Sequence, residues 1–236
     1  VDFLGSGGSA DVFKCSHADQ NVAVKIFKSR GEHIETERAA IDYFQSIPNF
    51  PSNRIVSCLG VTDEREGLIL SPVALDITCV DYFPGYTRDQ LSELINVVEA
   101  IHQQQRVFRD IRPQNILIRD DMHIMVSDFG SIIDISSGAS PIPYSGTSKY
   151  ASGRILDLLS TNPDLPIEPQ YADDIESVLK VIYVSVMRKA YRDLRTIRYD
   201  DYARIREFWR PRMTAAVWAN KVSFADLRTL IADLGF

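Results

Sequence analysis

Two hydrophobic periods divide this chain, and their order is the strongest limit on how it can fold. Up to about residue 75 the sequence is rich in short runs of β-branched and aromatic residues. They are Asp11-Val-Phe-Lys14, Asn21-Val-Ala-Val-Lys-Ile-Phe27, Ile55-Val-Ser-Cys-Leu-Gly-Val61 and Gly67-Leu-Ile-Leu70. Such runs read as strands. Between them, Glu32 to Phe44 has helical spacing and good helix formers. The expected order is three strands, one helix and two strands. Val1 already lies in strand-like sequence, so the natural N-terminus is expected upstream, and no signal peptide is read.

Past residue 75 the period becomes helical. Thr87-Arg-Asp-Gln90 has the form of a capping box, and Leu91, Leu94, Ile95, Val98, Ile101 and His102 then share one face. Ile175, Val178, Leu179, Ile182 and Val186 mark a second helix, apolar enough to be buried. Ser223 is placed to cap a last helix carrying Leu227, Leu230, Ile231 and Leu234. Proline-rich stretches at Ser140 to Tyr144 and Pro163 to Pro169 read as loops. The class is therefore α+β. Ser71 to Gly85, with two prolines where the composition changes, reads as the connection. It divides one functional domain, 1–236, into a small β-rich lobe, 1–73, and a larger helical lobe, 74–236.

Composition excludes several classes. Hydrophobic residues at 45% and charged residues at 25% supply a core and argue against long disorder. No apolar run approaches the roughly 20 residues that span a bilayer, so no membrane partner is expected. A net charge of −6 argues against nucleic acid as a partner, because phosphates attract a positive surface. The basic stretch Arg188 to Arg212 is interspersed with acids, and it reads as solvated helix faces before it reads as a docking patch. Three cysteines, Cys15, Cys58 and Cys79, give no disulfide framework and point to a reducing, intracellular compartment.

Four motifs carry chemistry. Gly5-Ser-Gly-Gly-Ser-Ala-Asp-Val12 lies between two expected strands. Gly5 and Gly7 lack a Cβ, so the backbone there can approach phosphate oxygens, although a plain hairpin turn uses the same residues. Lys25 follows 13 residues after Val12 and ends Val22-Ala-Val-Lys25. An amino group under such a loop can pair with a nucleotide's phosphates; otherwise it is one more surface lysine. Glu37 is spaced to reach it, and fits the apolar spacing to Ile41 and Phe44 better than its rival Glu35. Phe108-Arg-Asp110-Ile-Arg-Pro-Gln-Asn115 sets an Asp and an Asn five apart, and Ser127-Asp128-Phe-Gly130 follows 13 residues past Asn115. Asp110 can accept a hydroxyl proton or orient a nucleophile. Asn115 and Asp128 offer oxygen to a hard cation.

Taken in order, these motifs resemble the eukaryotic protein kinase family over nearly the whole chain. The resemblance implies a bilobal kinase-like fold, ATP and Mg2+ as cofactors, and γ-phosphate transfer to Ser or Thr hydroxyls of a protein substrate by a monomer. It assigns Lys25 to the α- and β-phosphates, held by Glu37. Asp110 becomes the base and Arg112 the cation near the γ-phosphate, with Thr147 beside them. Asn115 and Asp128 become Mg2+ ligands. Gly5, Ser6, Gly7 and Val12 would cover the nucleotide. Ala23, Leu70 and Leu117 would flank the adenine, with Leu70 as gatekeeper and Ser71 to Val73 as the hinge. Asp174, in Asp173-Asp-Ile-Glu-Ser177, resembles the buried Asp that anchors the catalytic loop. Arg109 would meet a phosphate on Ser136, Ser137, Ser140, Tyr144 or Ser145; alternatively it holds the loop through backbone hydrogen bonds.

Gly146-Thr147-Ser-Lys-Tyr150-Ala-Ser152 stands where A-P-E is usual, and with the D-D-I-E-S helix it is similar to casein kinase 1-like kinases and, more loosely, to crinkler-type effector kinases. Ala10 replaces a loop glycine, Phe108 a His and Arg112 a Lys. None of these changes removes a metal ligand or the base, which weighs against a pseudokinase acting as a scaffold. The G-T-x-x-Y ending weighs against a small-molecule kinase.

Overall fold

The computed structural model describes residues 1–29, 32–62, 66–78 and 83–234, with the side chains of 32 and 33 excepted. Cys79 and part of the connection read at Ser71 to Gly85 fall outside the described residues. In chain order the elements are β1 (Asp2–Ser6), β2 (Ala10–His17), β3 (Gln20–Phe27), α1 (Glu32–Ser46), β4 (Ser57–Val61), β5 (Gly67–Ser71) and α2 (Arg88–Gln103). Then come β6 (Arg106–Val107), β7 (Ile116–Ile118), β8 (Ile124–Val126), β9 (Ile133–Asp134), α3 (Gly153–Thr161) and α4 (Tyr171–Val186). The last are α5 (Arg188–Arg195), α6 (Tyr202–Thr214) and α7 (Phe224–Asp233). An antiparallel sheet followed by helices is the α+β kinase-like arrangement that the sequence implies.

The chain forms two compact units. The first is Val1–Cys79 with Gln114–Gly130. Its five strands run in the order β1-β2-β3-β5-β4. Register decides which residues share a face, because directly opposed residues point the same way. Val12 opposes Lys25, and Ala23 opposes Leu70. Lys25 and Ala23, two apart, therefore share one face with Val12 and Leu70. In α1 the buried residues Ile34, Glu37, Ile41 and Phe44 recur at the helical period.

The β7–β8 hairpin belongs to this unit although it lies far along the sequence. Leu75 and Ile118 exchange two backbone hydrogen bonds of 2.8 Å, and Val56 N–H donates to Val126. The sequence division after Val73 follows a change of composition, whereas the grouping in space follows these pairings.

The second unit is Val80–Pro113 with Ser131–Phe236. Thr87 and Gln90 form the expected capping box on α2, which buries Leu91, Leu94, Ile95, Val98 and Ile101. Ser223 caps α7 through a second box with Asp226. α4 buries residues on nearly every side, Asp173, Asp174 and Lys180 included. Fully buried Lys180 pairs with Glu176 at 2.9 Å, donates to the Ala151 carbonyl, and lies 5.3 Å from the Trp209 ring. Among the described residues no helix is long and apolar enough to cross a membrane.

Candidate active site

In the first unit three charged side chains meet. Lys25 Nζ donates to Glu37 at 2.7 and 2.9 Å and to Asp128 Oδ1 at 3.0 Å. Glu37 is only 1% exposed, while Glu35 faces solvent, which separates the two candidates. One ammonium between two carboxylates explains the titration. Burial acts to lower the Lys25 pKa, but Glu37 and Asp128 outweigh it and raise it. Burial raises the Glu37 pKa against the pull of Lys25, and Asp128 adds to the rise. The trio is an ion cluster with one surplus negative charge, suited to receive cations.

Asp128 holds φ at +64°, in the left-handed region that L-residues seldom adopt. Strain of this kind gathers at functional sites. Buried Phe129 anchors the turn, with its ring centroid 5.9 Å from that of Phe44. Ile116 opposes Val126, and Ser127 N–H donates to the Asn115 carbonyl at 3.0 Å, so Asn115 and Asp128 stand at one end of the β7–β8 hairpin. Among the described residues no three His, Cys, Asp or Glu side chains gather as a metal site. Asn115 and Asp128 each offer side-chain oxygen, the donor that hard cations take.

The glycine-rich turn joins β1 to β2. A Cβ added at Gly5 or Gly8 would meet nothing within 4 Å, so neither glycine is demanded by packing within the protein. Lys28 holds the turn, donating to Ser6 Oγ at 2.9 Å and the Gly7 carbonyl at 2.7 Å, with Asp11 at 3.3 Å. Sequence reading missed Lys28, and its only signal was a second lysine three residues past Lys25. Leu70 is buried at the end of β5, and Ser71 and Val73 follow it. Leu117 sits on β7 between the buried Ile116 and Ile118.

In the second unit, Asp110 is buried. Its Oδ1 accepts from Thr147 N–H at 2.7 Å, and Arg112 Nε lies 3.3 Å from its Oδ2. Asp174, 1% exposed, accepts from the backbone N–H of Phe108 at 2.7 Å and of Arg109 at 2.9 Å. His102 adds a 2.9 Å contact to the same carboxylate. Arg109 holds φ at +73°, and two-point capture by Asp174 keeps it there. The Arg109 guanidinium donates to the Pro143 carbonyl at 2.6 Å, and burial lowers its pKa. A backbone contact of this kind is one of the two roles expected for Arg109. Gly146 is required: a Cβ there would collide with the Arg109 carbonyl oxygen and the Tyr144 ring.

Comparison with known proteins gives the same direction. Residues 1–167 match the family of the protein kinase domain. The chain is 34% identical over 104 residues to human 3-phosphoinositide-dependent protein kinase 1, covering 41% of this chain and 17% of that protein. It is 27% identical over 177 residues to the phosphorylase b kinase gamma catalytic chain, liver/testis isoform, of Bos taurus, covering 66% of this chain and 42% of that protein. It is 25% identical over 174 residues to rhodopsin kinase GRK1 of Rattus norvegicus, covering 66% of this chain and 31% of that protein. The chain spans less than half the length of each of these relatives. With the family match covering well over half of its residues, the chain belongs to the protein kinase family.

Proposed function

We propose that the chain is an active, ATP- and Mg2+-dependent protein kinase that phosphorylates Ser or Thr hydroxyls. The observation that carries this reading is the Lys25–Glu37–Asp128 cluster at 2.7–3.0 Å, because it holds the ammonium assigned to the phosphates against the carboxylate assigned to the metal. Bound Mg2+, held by Asn115 and Asp128, would neutralise phosphate charge. Lys25, fixed by Glu37, meets the phosphates. Asp110 orients the substrate hydroxyl and takes its proton as the oxygen bonds the γ-phosphorus and ADP leaves. Arg112 offsets charge beside Asp110. Val12, Ala23, Leu70 and Leu117 supply apolar surface to the base, with Ser71 and Val73 at the hinge.

Pro113 after Arg112 and the Gly146-Thr147 pair support Ser or Thr over Tyr as acceptor. Gly146 to Ser152 and the Asp173-Asp-Ile-Glu-Ser177 helix support a likeness to casein kinase 1-like enzymes. Cys15 and Cys58 are free thiols, which supports a reducing compartment. The test is transfer of labelled phosphate from ATP to a peptide library in the presence of Mg2+, with Asp110→Asn as control. Label on Ser or Thr peptides with the natural chain and none with the variant is expected. Equal label from both proteins, or none from either, overturns the reading.

A further inference from the structure

Packing does not account for the shape of the glycine-rich turn between β1 and β2. Residues 6–9 are all exposed. A Cβ added at Gly5 or Gly8 would meet nothing within 4 Å, and one at Gly7 would meet only the Ala10 carbonyl oxygen at 3.8 Å. Glycine has more backbone freedom to lose than any other residue, so an unrestrained turn of this composition samples many shapes. Every shape that turns its N–H groups away from the phosphates weakens nucleotide binding.

Hydrogen bonds and charge restrain the turn instead. Ser6 and Asp11 oppose each other across the two strands, and Ser6 Oγ donates to Asp11 Oδ1. Lys28 follows the last residue of β3, and its backbone N–H donates to the Ser9 carbonyl at 2.8 Å. Its ammonium meets Ser6 Oγ at 2.9 Å, the Gly7 carbonyl at 2.7 Å and Asp11 Oδ1 at 3.3 Å. The Ser6 hydroxyl, and after it Lys28, hold the Asp11 carboxyl below its ordinary pKa. Ser6, Asp11 and Lys28 thus close a ring of contacts, so that removing one member loosens the other two. The strand lysine, Lys25, is engaged separately by Glu37 and Asp128.

We propose that Lys28 is a positioning residue for the nucleotide: through Ser6, Gly7 and Asp11 it presets the glycine-rich turn in the shape that receives the phosphates. The latch rests on the kinase reading for its ligand. It acts through the turn and not as a bare charge, and Asp11 separates the two roles. Plain electrostatics makes Lys28 favourable and Asp11 unfavourable to ATP. A latch makes both favourable, because each holds the other.

Calorimetry with Mg2+ and ATP, and separately with adenosine, would compare the natural chain with Lys28→Ala, Asp11→Ala, the double variant and Lys28→Arg. Each alanine variant should bind ATP about three- to tenfold more weakly, and the double variant no more weakly than the worse of the two. Adenosine, which has no phosphates, should bind equally to all. Lys28→Arg keeps the charge and the donors, and should recover most of the loss. In the nucleotide-free chain, Lys28→Ala should quicken amide exchange at residues 5–10 and leave α1 as protected as before. Tighter ATP binding by Asp11→Ala overturns the latch in favour of plain charge. Losses that add in the double variant overturn it too, as does an equal loss for ATP and adenosine. ATP binding that ignores Lys28 overturns the latch and leaves the kinase reading standing. A natural chain that binds no ATP overturns both.

Discussion

Lys25 is held by two carboxylates, so removing it does two things at once. Lys25→Met deletes the charge assigned to the phosphates and should reduce phosphoryl transfer to background, because positioning and electrostatics supply most of this chemistry. It also leaves Glu37 buried without its ammonium partner. Breaking such a pair costs up to about 3–5 kcal/mol, so the variant should lose stability as well as activity. The pH dependence tests the cause. Burial and Asp128 already raise Glu37 above its ordinary 4.5, and without Lys25 the backbone hydrogen bond from Phe129 is left to oppose them. A group whose folded pKa is raised stabilises below its unfolded pKa and loses that contribution as pH rises. The variant should therefore be firmest in mild acid and weaken towards neutral pH, while Lys25→Met/Glu37→Gln recovers stability without activity. Denaturant melts from pH 4 to 8 check this; a flat profile for the single variant removes Glu37 as the cause. Asp110→Asn should lower turnover by roughly 100- to 10,000-fold with ATP affinity little changed. Steady-state kinetics decide it, and a collapse of ATP affinity instead would mean that Asp110 is misassigned.

At the scale of elements, the segment between β9 and α3 is fixed by backbone contacts. Arg109 binds the Pro143 carbonyl, and Gly146 allows the close approach to Arg109. Gly146→Ala should destabilise by about 1–3 kcal/mol, the usual cost of overpacking, and lower turnover with it. A melting point and turnover equal to the natural chain's would show that the segment gives way freely. Since Arg109 already donates to the Pro143 carbonyl, phosphatase treatment should leave activity unchanged. Mass spectrometry with assays on both samples checks that, and lost activity would return Arg109 to a phosphate-binding role. Local signals explain how much of this was legible. Thr87 and Ser223 announce their helices because a cap is a short-range hydrogen bond. The Asp110, Asn115 and Asp128 spacing was legible because chemistry fixes it. The Lys28 clamp, the Pro143 acceptor and the contacts of Lys180 to Ala151 and Trp209 join residues far apart in sequence, and no periodicity carries such partners.

For the whole molecule, the assigned nucleotide groups Lys25, Glu37, Asn115 and Asp128 all belong to one compact unit, assembled from Val1–Cys79 and Gln114–Gly130. Composition put the division near residue 73, yet hydrogen bonds from Leu75 and Val56 draw the β7–β8 hairpin back into that unit. This grouping predicts where nucleotide acts. A ligand that binds the native state alone stabilises it by RT ln(1 + [L]/Kd), about 2.7 kcal/mol at one hundred times Kd. Mg2+ and ATP together should therefore slow amide exchange in β1 to β3, in α1 and along residues 115–129. ATP with a chelator should slow it less, because Asn115 and Asp128 then have no cation to share with the phosphates. Asp128→Asn should lose the difference between the two conditions, since a neutral amide is a poor substitute for a carboxylate at a dication. Hydrogen exchange read by mass spectrometry resolves these segments separately. Protection confined to the helices from α3 to α7, or a metal effect that survives in Asp128→Asn, would place the nucleotide elsewhere.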